Sequence, residues 1–359
     1  MPQTVITTLE QVTPEWLTTV LTQNGAITRG RLLSVDAESG GGNWSSNARL
    51  ALSYSEDARG ESPTRLFLKM CRSDPDSKDA FDDSEVNYYT RDYLDVPDAP
   101  LVRCYHAGYS KEPRHYHLLL EDVSDTHFPA YEKERELASG LAMVEGLATL
   151  HTRWWGPQRL AEAGASIHTS AEIQHFVNMG WPGVAPILSH YSDQFEPHWP
   201  DLIKETFARH SQAAIARTLQ ATDQTIIHGD ANPTNILIPR RGNRPIYIID
   251  RQPFRWGLTT WLGVFDLVYI TVFDLNPEQR RQFERPLLQR YYETLLRLGV
   301  TGYSLAQFHQ DYRLAVPLGI YIFTEYCADG IDKELEFVWL TVLKRTLTAM
   351  DEWDCAGMW

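Results

Sequence analysis

Residues 226–238 read Ile-Ile-His-Gly-Asp-Ala-Asn-Pro-Thr-Asn-Ile-Leu-Ile, and residues 247–250 read Tyr-Ile-Ile-Asp. These stretches place Asp230, Asn235 and Asp250 in a fixed order. A proline between the first two opposes a continuous helix, which predicts a loop with both polar side chains facing one cavity. The flanking apolar runs predict a β-hairpin that ends just before Asp250, so Asp250 is expected to return to the end where Asn235 begins the hairpin.

This order of residues suits one kind of chemistry. Phosphoryl transfer from ATP needs a carboxylate beside the attacking hydroxyl and oxygen ligands that hold Mg²⁺ against the phosphates. Asp230, Asn235 and Asp250 can supply these parts, with Asn235 and Asp250 converging on one ion. The alternative is that residues 228–230 form only a tight turn whose Asp caps local backbone. The ordered Asn and second Asp downstream favour the first interpretation.

The His-Gly-Asp-x-x-x-x-Asn loop and the later Ile-Asp resemble the aminoglycoside phosphotransferase and ecdysteroid-kinase-like (CHK kinase-like) branch of the protein-kinase-like superfamily. The resemblance extends through most of the chain. It implies that Asp230 is the catalytic base and that Asn235 and Asp250 bind Mg²⁺. It also implies a two-lobed kinase-like fold with ATP and Mg²⁺ as cofactors.

A lysine inside an apolar strand gives independent support. Lys69 lies within the run Leu-Phe-Leu-Lys-Met, where a buried ammonium needs a partner. Kinases pair such a lysine with a helix glutamate, so that the lysine reaches the α- and β-phosphates. Glu85 is the expected partner rather than Asp82 or Asp83, because Glu85 to Tyr89 matches the Glu-x-x-x-Tyr pattern of the resembled family. The alternative is that Lys69 and Glu85 both face solvent.

A glycine-rich stretch, residues 39–46, lies between two strand-like runs, where a loop covering a nucleotide would be expected. Its glycines would let backbone N–H groups approach phosphate. Gly41, Gly42, Asn43 and Ser45 are therefore candidate nucleotide contacts. The stretch does not match Gly-x-Gly-x-x-Gly, and a flexible hairpin turn explains it equally well.

The strand that ends at Leu120 leads into a second candidate nucleotide contact. The backbone of Glu121 and Val123 could bind the adenine edge, as the resemblance implies, although an ordinary strand end explains the same residues. Asp266 lies in an apolar segment, where related small-molecule kinases carry an Asp that braces the catalytic loop. His151 matches a Leu-His-x-x-x-Trp pattern of the family and is interpreted as a packing histidine.

The pattern along the chain predicts an α+β fold with a boundary near residue 121. Residues 1–121 form the predicted nucleotide-binding lobe, with a five-stranded antiparallel sheet and one key helix, and residues 122–359 the mainly helical catalytic and substrate-binding lobe. The expected strands are 31–35, 48–54, 65–70, 102–109 and 116–120. The expected helices are 14–24, 78–93, 136–154, 171–179 and 201–219, with a buried helix over 259–273 and further helices after 277.

Composition limits the partners. The chain of 359 residues has 33 Lys+Arg against 47 Asp+Glu, a formal charge of −14, and no basic run, so nucleic acid is not expected. Four separated cysteines suggest neither a zinc site nor disulfides, which fits a reduced cytoplasm. The beginning of the sequence does not resemble a secretory signal, and no stretch is long enough to predict a membrane span.

The expected acceptor is a small-molecule hydroxyl compound, with a cationic or aromatic-compatible body. Residues 321–326 supply aromatic side chains and residues 332–336 acidic ones, although helix core and a solvated face explain most of them. Asp250 is followed by Arg-Gln-Pro rather than Phe-Gly, and no Ala-Pro-Glu follows, which argues against a protein kinase. A nucleotide-binding pseudokinase is the other alternative. Acceptor identity, ATP or GTP preference and oligomeric state stay open.

Overall fold

The computed structural model describes residues 5–41, 45–72, 82–252 and 257–359. Within these ranges it contains twelve β-strands. They are β1 (Ile27–Arg29), β2 (Leu32–Gly41), β3 (Ser45–Tyr54), β4 (Arg59–Gly60), β5 (Arg65–Arg72), β6 (Cys104–Lys111), β7 (Arg114–Glu121), β8 (His127–Pro129), β9 (Gln224–Ile226), β10 (Ile236–Pro239), β11 (Tyr247–Ile248) and β12 (Thr260–Leu262).

The same ranges contain twelve α-helices and two π-helical turns. The helices are α1 (Pro14–Gln23), α2 (Ser84–Thr90), α3 (Leu137–Arg153), α4 (Pro157–Glu162), α5 (Ser170–Tyr191), α6 (Trp199–Glu205), α7 (Ser211–Leu219), α8 (Val264–Val268), α9 (Pro277–Arg297), α10 (Leu305–Ala315), α11 (Leu318–Glu325) and α12 (Glu336–Glu352). The π-turns are Thr206–His210 and Tyr269–Phe273. No helix of the described ranges combines the length and apolar character needed to cross a bilayer.

Contacts divide the chain into two units. The first contains Met1–Phe128 and Ile238–Arg255, and the second contains Pro129–Leu237 and Trp256–Trp359. The first change of unit falls between residues 128 and 129, and the lobe boundary at residues 121 and 122 stays a prediction. The segment after β10 returns to the first unit because its backbone bonds there: the Ile248 N–H donates to the Pro100 carbonyl at 2.7 Å.

The first unit is built on a five-stranded antiparallel sheet with the order β2-β3-β5-β7-β6. Successive side chains of β5 point to opposite faces of the sheet. Leu66, Leu68 and Met70 are buried in the core that also receives α1, while Lys69 belongs to the opposite set. Helix α1 begins as predicted, since Thr13 caps it by accepting the Trp16 N–H at 3.2 Å. The predicted α+β class with this sheet is confirmed.

Within the second unit, β9 pairs antiparallel with β12, and helices supply most of the rest. Helix α5 extends twelve residues beyond its predicted end and continues through Pro182 and Pro186. Its Gly183 packs directly on the α11 backbone, because an added Cβ would lie 1.8 Å from the Thr324 carbonyl oxygen. This packing outweighs the helix-breaking tendency of the prolines.

Three further predicted elements differ from the structure. Residues 259–273 form β12, α8 and a π-turn rather than one helix, because residues 260–262 pair with β9. The helix predicted over 201–219 is interrupted by a π-turn. The helix predicted over 78–93 is α2, which is shorter, and residues 78–81 lie outside the described ranges. The hairpin that was predicted before Asp250 is present, since β10 and β11 are neighbours.

Candidate functional site

The loop before β10 is held by one buried carboxylate. Asp266, on α8, has no exposed surface and accepts the backbone N–H groups of His228 at 2.6 Å and Gly229 at 2.9 Å. His151 Nε2 lies 2.9 Å from Asp266 Oδ2, and His151 Nδ1 lies 2.7 Å from the Tyr291 hydroxyl. Asp266 thus braces the loop as expected, and His151 is a packing residue that orients Asp266.

Charge and hydrogen bonding keep Asp266 ionised. Burial raises the pKa of a carboxyl group, but the hydrogen bond and charge of His151, together with the loop N–H groups, outweigh burial and lower the pKa of Asp266. An ionised Asp266 is the stronger acceptor for the two loop amides. The loop backbone is therefore fixed by charge-assisted hydrogen bonds.

The Asp230 carboxylate is held by two amide side chains. Asn232 Nδ2 donates to Oδ1 at 2.8 Å, and Asn235 Nδ2 donates to Oδ2 at 3.0 Å and to the Asp230 carbonyl at 2.9 Å. These partners assign the amide nitrogen of Asn235 to the carboxylate side, so its Oδ1 faces away from Asp230. The loop brings Asp230 and Asn235 together as predicted. The contact made by Asn232 was not predicted.

A second unpredicted contact comes from Tyr269, which follows α8. Its hydroxyl donates to the Gly229 carbonyl at 3.0 Å, and its ring is buried. The sequence pattern could have suggested this residue, because Tyr269 lies three positions after Asp266 and therefore on the same helix face.

In the first unit, Lys69 lies between two carboxylates. Its Nζ donates to both carboxylate oxygens of Glu85 at 2.8 Å and also pairs with Asp250 Oδ1. The Tyr116 hydroxyl donates to Glu85. The side chains of Lys69 and Glu85 are 12% and 2% exposed, whereas that of Asp250 is 47% exposed. The predicted lysine–glutamate pair is present, and Asp250 joins it.

The pKa values in this group follow from burial and the shared charge. Burial raises the pKa of Glu85 to about 7, against the attraction of Lys69. Burial disfavours the Lys69 ammonium, but the carboxylates of Asp250 and Glu85 outweigh it and raise the pKa of Lys69. Burial also raises the pKa of the nearby Cys71 thiol to about 12, so this cysteine is not a nucleophile at neutral pH.

Asp250 adopts the left-handed backbone region, with φ 64°. A non-glycine residue in this region stores strain, and such residues occur often at functional sites. Helix α2 holds the chain on both sides of it: the Tyr88 hydroxyl donates to the Ile248 carbonyl at 3.1 Å and Ser84 Oγ to the Gln252 carbonyl at 3.0 Å. The same helix carries Glu85, so both partners of Lys69 are fixed by one element.

Two of the predicted phosphate contacts lie in strands rather than in a loop. Gly41 ends β2 and Ser45 begins β3, because the pairing of these strands continues to Gly41 and Ser46. Gly42 and Asn43 lie outside the described residues. An added Cβ at Gly41 would meet no atom within 4 Å, so packing inside the chain does not require glycine there.

Glu121 and Val123 use part of their backbone within the first unit. The Glu121 N–H donates to the Arg103 carbonyl at 2.9 Å, and the Val123 carbonyl accepts from Thr126 at 3.0 Å and His127 at 2.9 Å. An adenine contact would therefore fall to the Glu121 carbonyl and the Val123 N–H.

The predicted residues thus form two groups, each within one unit: Lys69, Glu85 and Asp250 in the first, and Asp230 and Asn235 in the second. Convergence of Asn235 and Asp250 on one ion stays a prediction. Among the described residues, no cluster of three or more His, Cys, Asp or Glu side chains is suited to a metal. A carboxylate and an amide oxygen do suit Mg²⁺, which binds through few protein ligands together with phosphates and waters.

Comparison with known proteins gives matches of two kinds. The family model DUF1679, described as "Uncharacterized oxidoreductase dhs-27", matches residues 201–335, which include Asp230, Asn235 and Asp250. A sequence search of curated proteins finds no match.

Two solved structures are similar to this chain in fold. An ethanolamine kinase of Plasmodium vivax is 10% identical, with a TM-score of 0.54, over 88% of this chain and 81% of that one. A glucosamine kinase is 12% identical, with a TM-score of 0.51, over 96% of this chain and 100% of that one. At these identities the likeness establishes the fold.

Proposed function

We propose that this chain, which has the protein-kinase-like fold of several small-molecule kinases, transfers the γ-phosphoryl group of ATP to a hydroxyl group of a small molecule. The observation that carries this proposal is the Lys69, Glu85 and Asp250 group. It assembles three residues from separate segments by ion pairing. A charged lysine held by a helix glutamate is the arrangement that kinases use to orient ATP phosphates.

Asp230 would act as the catalytic base. Its carboxylate is half-buried, and Asn232 and Asn235 each donate an amide N–H to one of its oxygens, which fixes the direction of the carboxylate. A base in this role contributes about 10²–10⁴-fold to turnover. Asp230 would orient the hydroxyl and accept its proton as the oxygen attacks the γ-phosphorus.

Asn235 and Asp250 would hold Mg²⁺. When bound, the ion would neutralise charge on the nucleotide phosphates. Asn235 offers Oδ1, since its nitrogen is committed to Asp230. Asp250 offers a half-exposed carboxylate fixed by its backbone conformation. Lys69 would bind the α- and β-phosphates from the face of the sheet opposite to the core that receives α1.

A row of aromatic rings in the second unit, buried except at Tyr326, leads to the proposed acceptor site. Tyr269, Phe273, Phe323 and Tyr326 form a continuous series of ring contacts, with centroids 4.9, 5.0 and 6.0 Å apart. Tyr326 is 38% exposed. Partial burial raises the pKa of its phenol, and the negative charge of Asp230 raises it further. Glu325 is exposed beside it. The exposed Tyr326 and Glu325 fit an alcohol with an aromatic-compatible or cationic body.

The description of the matching family model names an oxidoreductase. The full sequence contains no Gly-x-Gly-x-x-Gly stretch of the kind that binds dinucleotides. The two structures of similar fold are kinases. Phosphoryl transfer therefore accounts for the ordered Asp, Asn and Asp residues, whereas hydride transfer does not use them.

The test is ATP consumption with Mg²⁺ across a panel of amino alcohols, sterols, sugars and aminoglycosides, with the phosphorylated product identified by mass spectrometry. We expect one class to be phosphorylated, and we expect Asp230→Ala to lower turnover at least about 100-fold. Asp193→Ala, at an exposed site of the same unit, is the control. Nucleotide binding without turnover on any acceptor would identify a pseudokinase, and phosphorylation of protein alone would identify a protein kinase.

A further inference from the structure

The two peptide groups that flank the Gly229 Cα are held by neighbouring turns of one helical segment. Asp266 Oδ1 accepts the Gly229 N–H at 2.9 Å, and the Tyr269 hydroxyl donates to the Gly229 carbonyl at 3.0 Å. The first contact is charged and the second neutral. Together they fix the backbone on both sides of the Gly229 Cα.

Gly229 needs such fixing. It has φ 79°, in the region that glycine enters freely, and a glycine backbone has more accessible conformations than that of any other residue. Rotation of the following peptide would redirect the Asp230 side chain. The Tyr269 contact acts on the carbonyl of this peptide, which the contacts of Asp266 do not reach.

Asn232 fixes the side chain of Asp230. Its Nδ2 donates to Asp230 Oδ1 at 2.8 Å, and its own Oδ1 accepts the Thr234 N–H at 2.9 Å and the Thr234 hydroxyl. The amide is therefore held on both sides. A free carboxylate rotates broadly about its last torsion; Asn235 restrains this rotation through Oδ2 and Asn232 through Oδ1.

We propose that Tyr269 and Asn232 are positioning residues for Asp230, Tyr269 through the Gly229 carbonyl and Asn232 through the carboxylate itself. This inference rests on the proposed function of Asp230 as base. Neither residue supplies a proton or a charge. Both set the direction from which the carboxylate meets the acceptor hydroxyl.

Turnover tests the proposal directly. Tyr269→Phe removes only the hydroxyl, and Asn232→Ala removes only the amide of a half-buried loop residue. We expect each to lower kcat by about 10- to 100-fold with KM for ATP within about twofold of the wild type, since misplacement of a reacting group costs this much. The double variant should lose less than the product of the two single effects, because both act on one carboxylate.

Matched controls separate positioning from general damage. Tyr303→Phe removes a buried tyrosine hydroxyl that donates to Asp311 at 2.9 Å, and Asn178→Ala removes an exposed amide that accepts from Gln174. Both controls should keep kcat. If Tyr269→Phe or Asn232→Ala also keeps kcat within twofold, the proposal for that residue is wrong.

A second readout does not depend on activity. The amide resonances of Gly229 and Asp230, observed by NMR in selectively ¹⁵N-labelled protein, should shift or split in Tyr269→Phe and Asn232→Ala and stay unchanged in the controls. Unchanged resonances in both variants would overturn the proposal. A wild type that consumes no ATP would refute the proposed function instead, while the resonances would still decide whether these side chains hold the loop.

Discussion

Lys69 carries its charge between two carboxylates, and this position determines the effect of losing it. We expect Lys69→Met to lower kcat/KM for ATP by at least about 100-fold, because one fixed electrostatic contact to a reacting phosphate is worth this much. Binding of an acceptor alone should change little, since Lys69 lies in the first unit. Steady-state kinetics with varied ATP measures the effect. Lys204→Met, which removes an exposed lysine, should match the wild type, and an equal loss in both variants would contradict the assignment.

The backbone at Glu121 and Val123 predicts which nucleobase the site prefers. An acceptor at the Glu121 carbonyl beside a donor at the Val123 N–H complements adenine, which offers the N6 amino donor where guanine offers the O6 acceptor. We expect ATP to be preferred over GTP by about 10- to 100-fold in kcat/KM, corresponding to about 1–3 kcal/mol. Competition between the two nucleotides measures this preference. A preference for GTP would show that these groups do not contact the base.

The residues missed from the sequence show what a pattern can and cannot reveal. Asp230, Asn235 and Asp250 are recognisable because their spacing is ordered. Asn232 lies inside the same loop, but a contact two residues along depends on side-chain torsions that the pattern does not specify. Tyr269 contacts Gly229 across 40 residues, which only the packing of α8 against the loop determines.

At the scale of elements, Arg251 ties α2 and Asp92, which follows α2, to the segment after Asp250. Arg251 and Asp92 are 5% and 1% exposed, with Nη1 and Oδ2 3.8 Å apart, and Arg251 also donates to the Ser84 carbonyl at 3.3 Å. We expect Arg251→Met to lower the free energy of unfolding by about 2–4 kcal/mol, because it leaves the buried Asp92 with less compensation. Urea unfolding measures the loss.

The partner substitution provides the control for this pair. Asp92→Leu combined with Arg251→Met should be less destabilising than the sum of the single changes, because the double variant leaves neither charge behind. Strict additivity would mean that the two side chains do not interact. Arg29→Met, at an exposed ion pair, should stay within about 0.5 kcal/mol of the wild type.

Elements were predictable where local rules agree with packing. The start of α1 was predictable because Thr13 and Pro14 specify it, and the hairpin of β10 and β11 because two apolar runs flank a turn. The end of α5 was not, because the close contact of Gly183 with Thr324 belongs to α11, 141 residues away along the chain. The strand pairing of residues 260–262 has the same origin, since it depends on β9.

For the whole molecule, two buried histidines predict acid sensitivity. Burial lowers the pKa of His117, in the first unit, to about 3 and that of His210, in the second, to about 4. His210 Nε2 lies 2.7 Å from the Leu314 carbonyl oxygen, and Nδ1 lies 2.7 Å from the Tyr321 hydroxyl. The unfolded chain binds these protons near pH 6.5, before the folded chain does.

The stability that depends on these two histidines should therefore be fully present above about pH 6.5 and be lost on acidification, until about pH 4 for His210 and about pH 3 for His117. Each histidine adds up to about 1.4 kcal/mol per pH unit to this slope. Urea unfolding between pH 7 and pH 5 measures it. His210→Gln should flatten the profile, whereas His175→Gln, at an exposed site, should not. An equally steep profile in His210→Gln would show that other groups control the acid response.

The division of the chain also has a consequence for its biosynthesis. The first unit ends its first segment at residue 128 and is completed only by Ile238–Arg255, so the ribosome must add another 127 residues before the unit has all its parts. At about 5–20 residues per second this takes several seconds or longer. During that interval Lys69 and Glu85 are already synthesised, but Asp250 and the strands of its hairpin are not. The five-stranded sheet, whose strands all precede residue 122, must therefore persist without the last segment of its unit, and it is during translation that we expect this protein to depend most on chaperones.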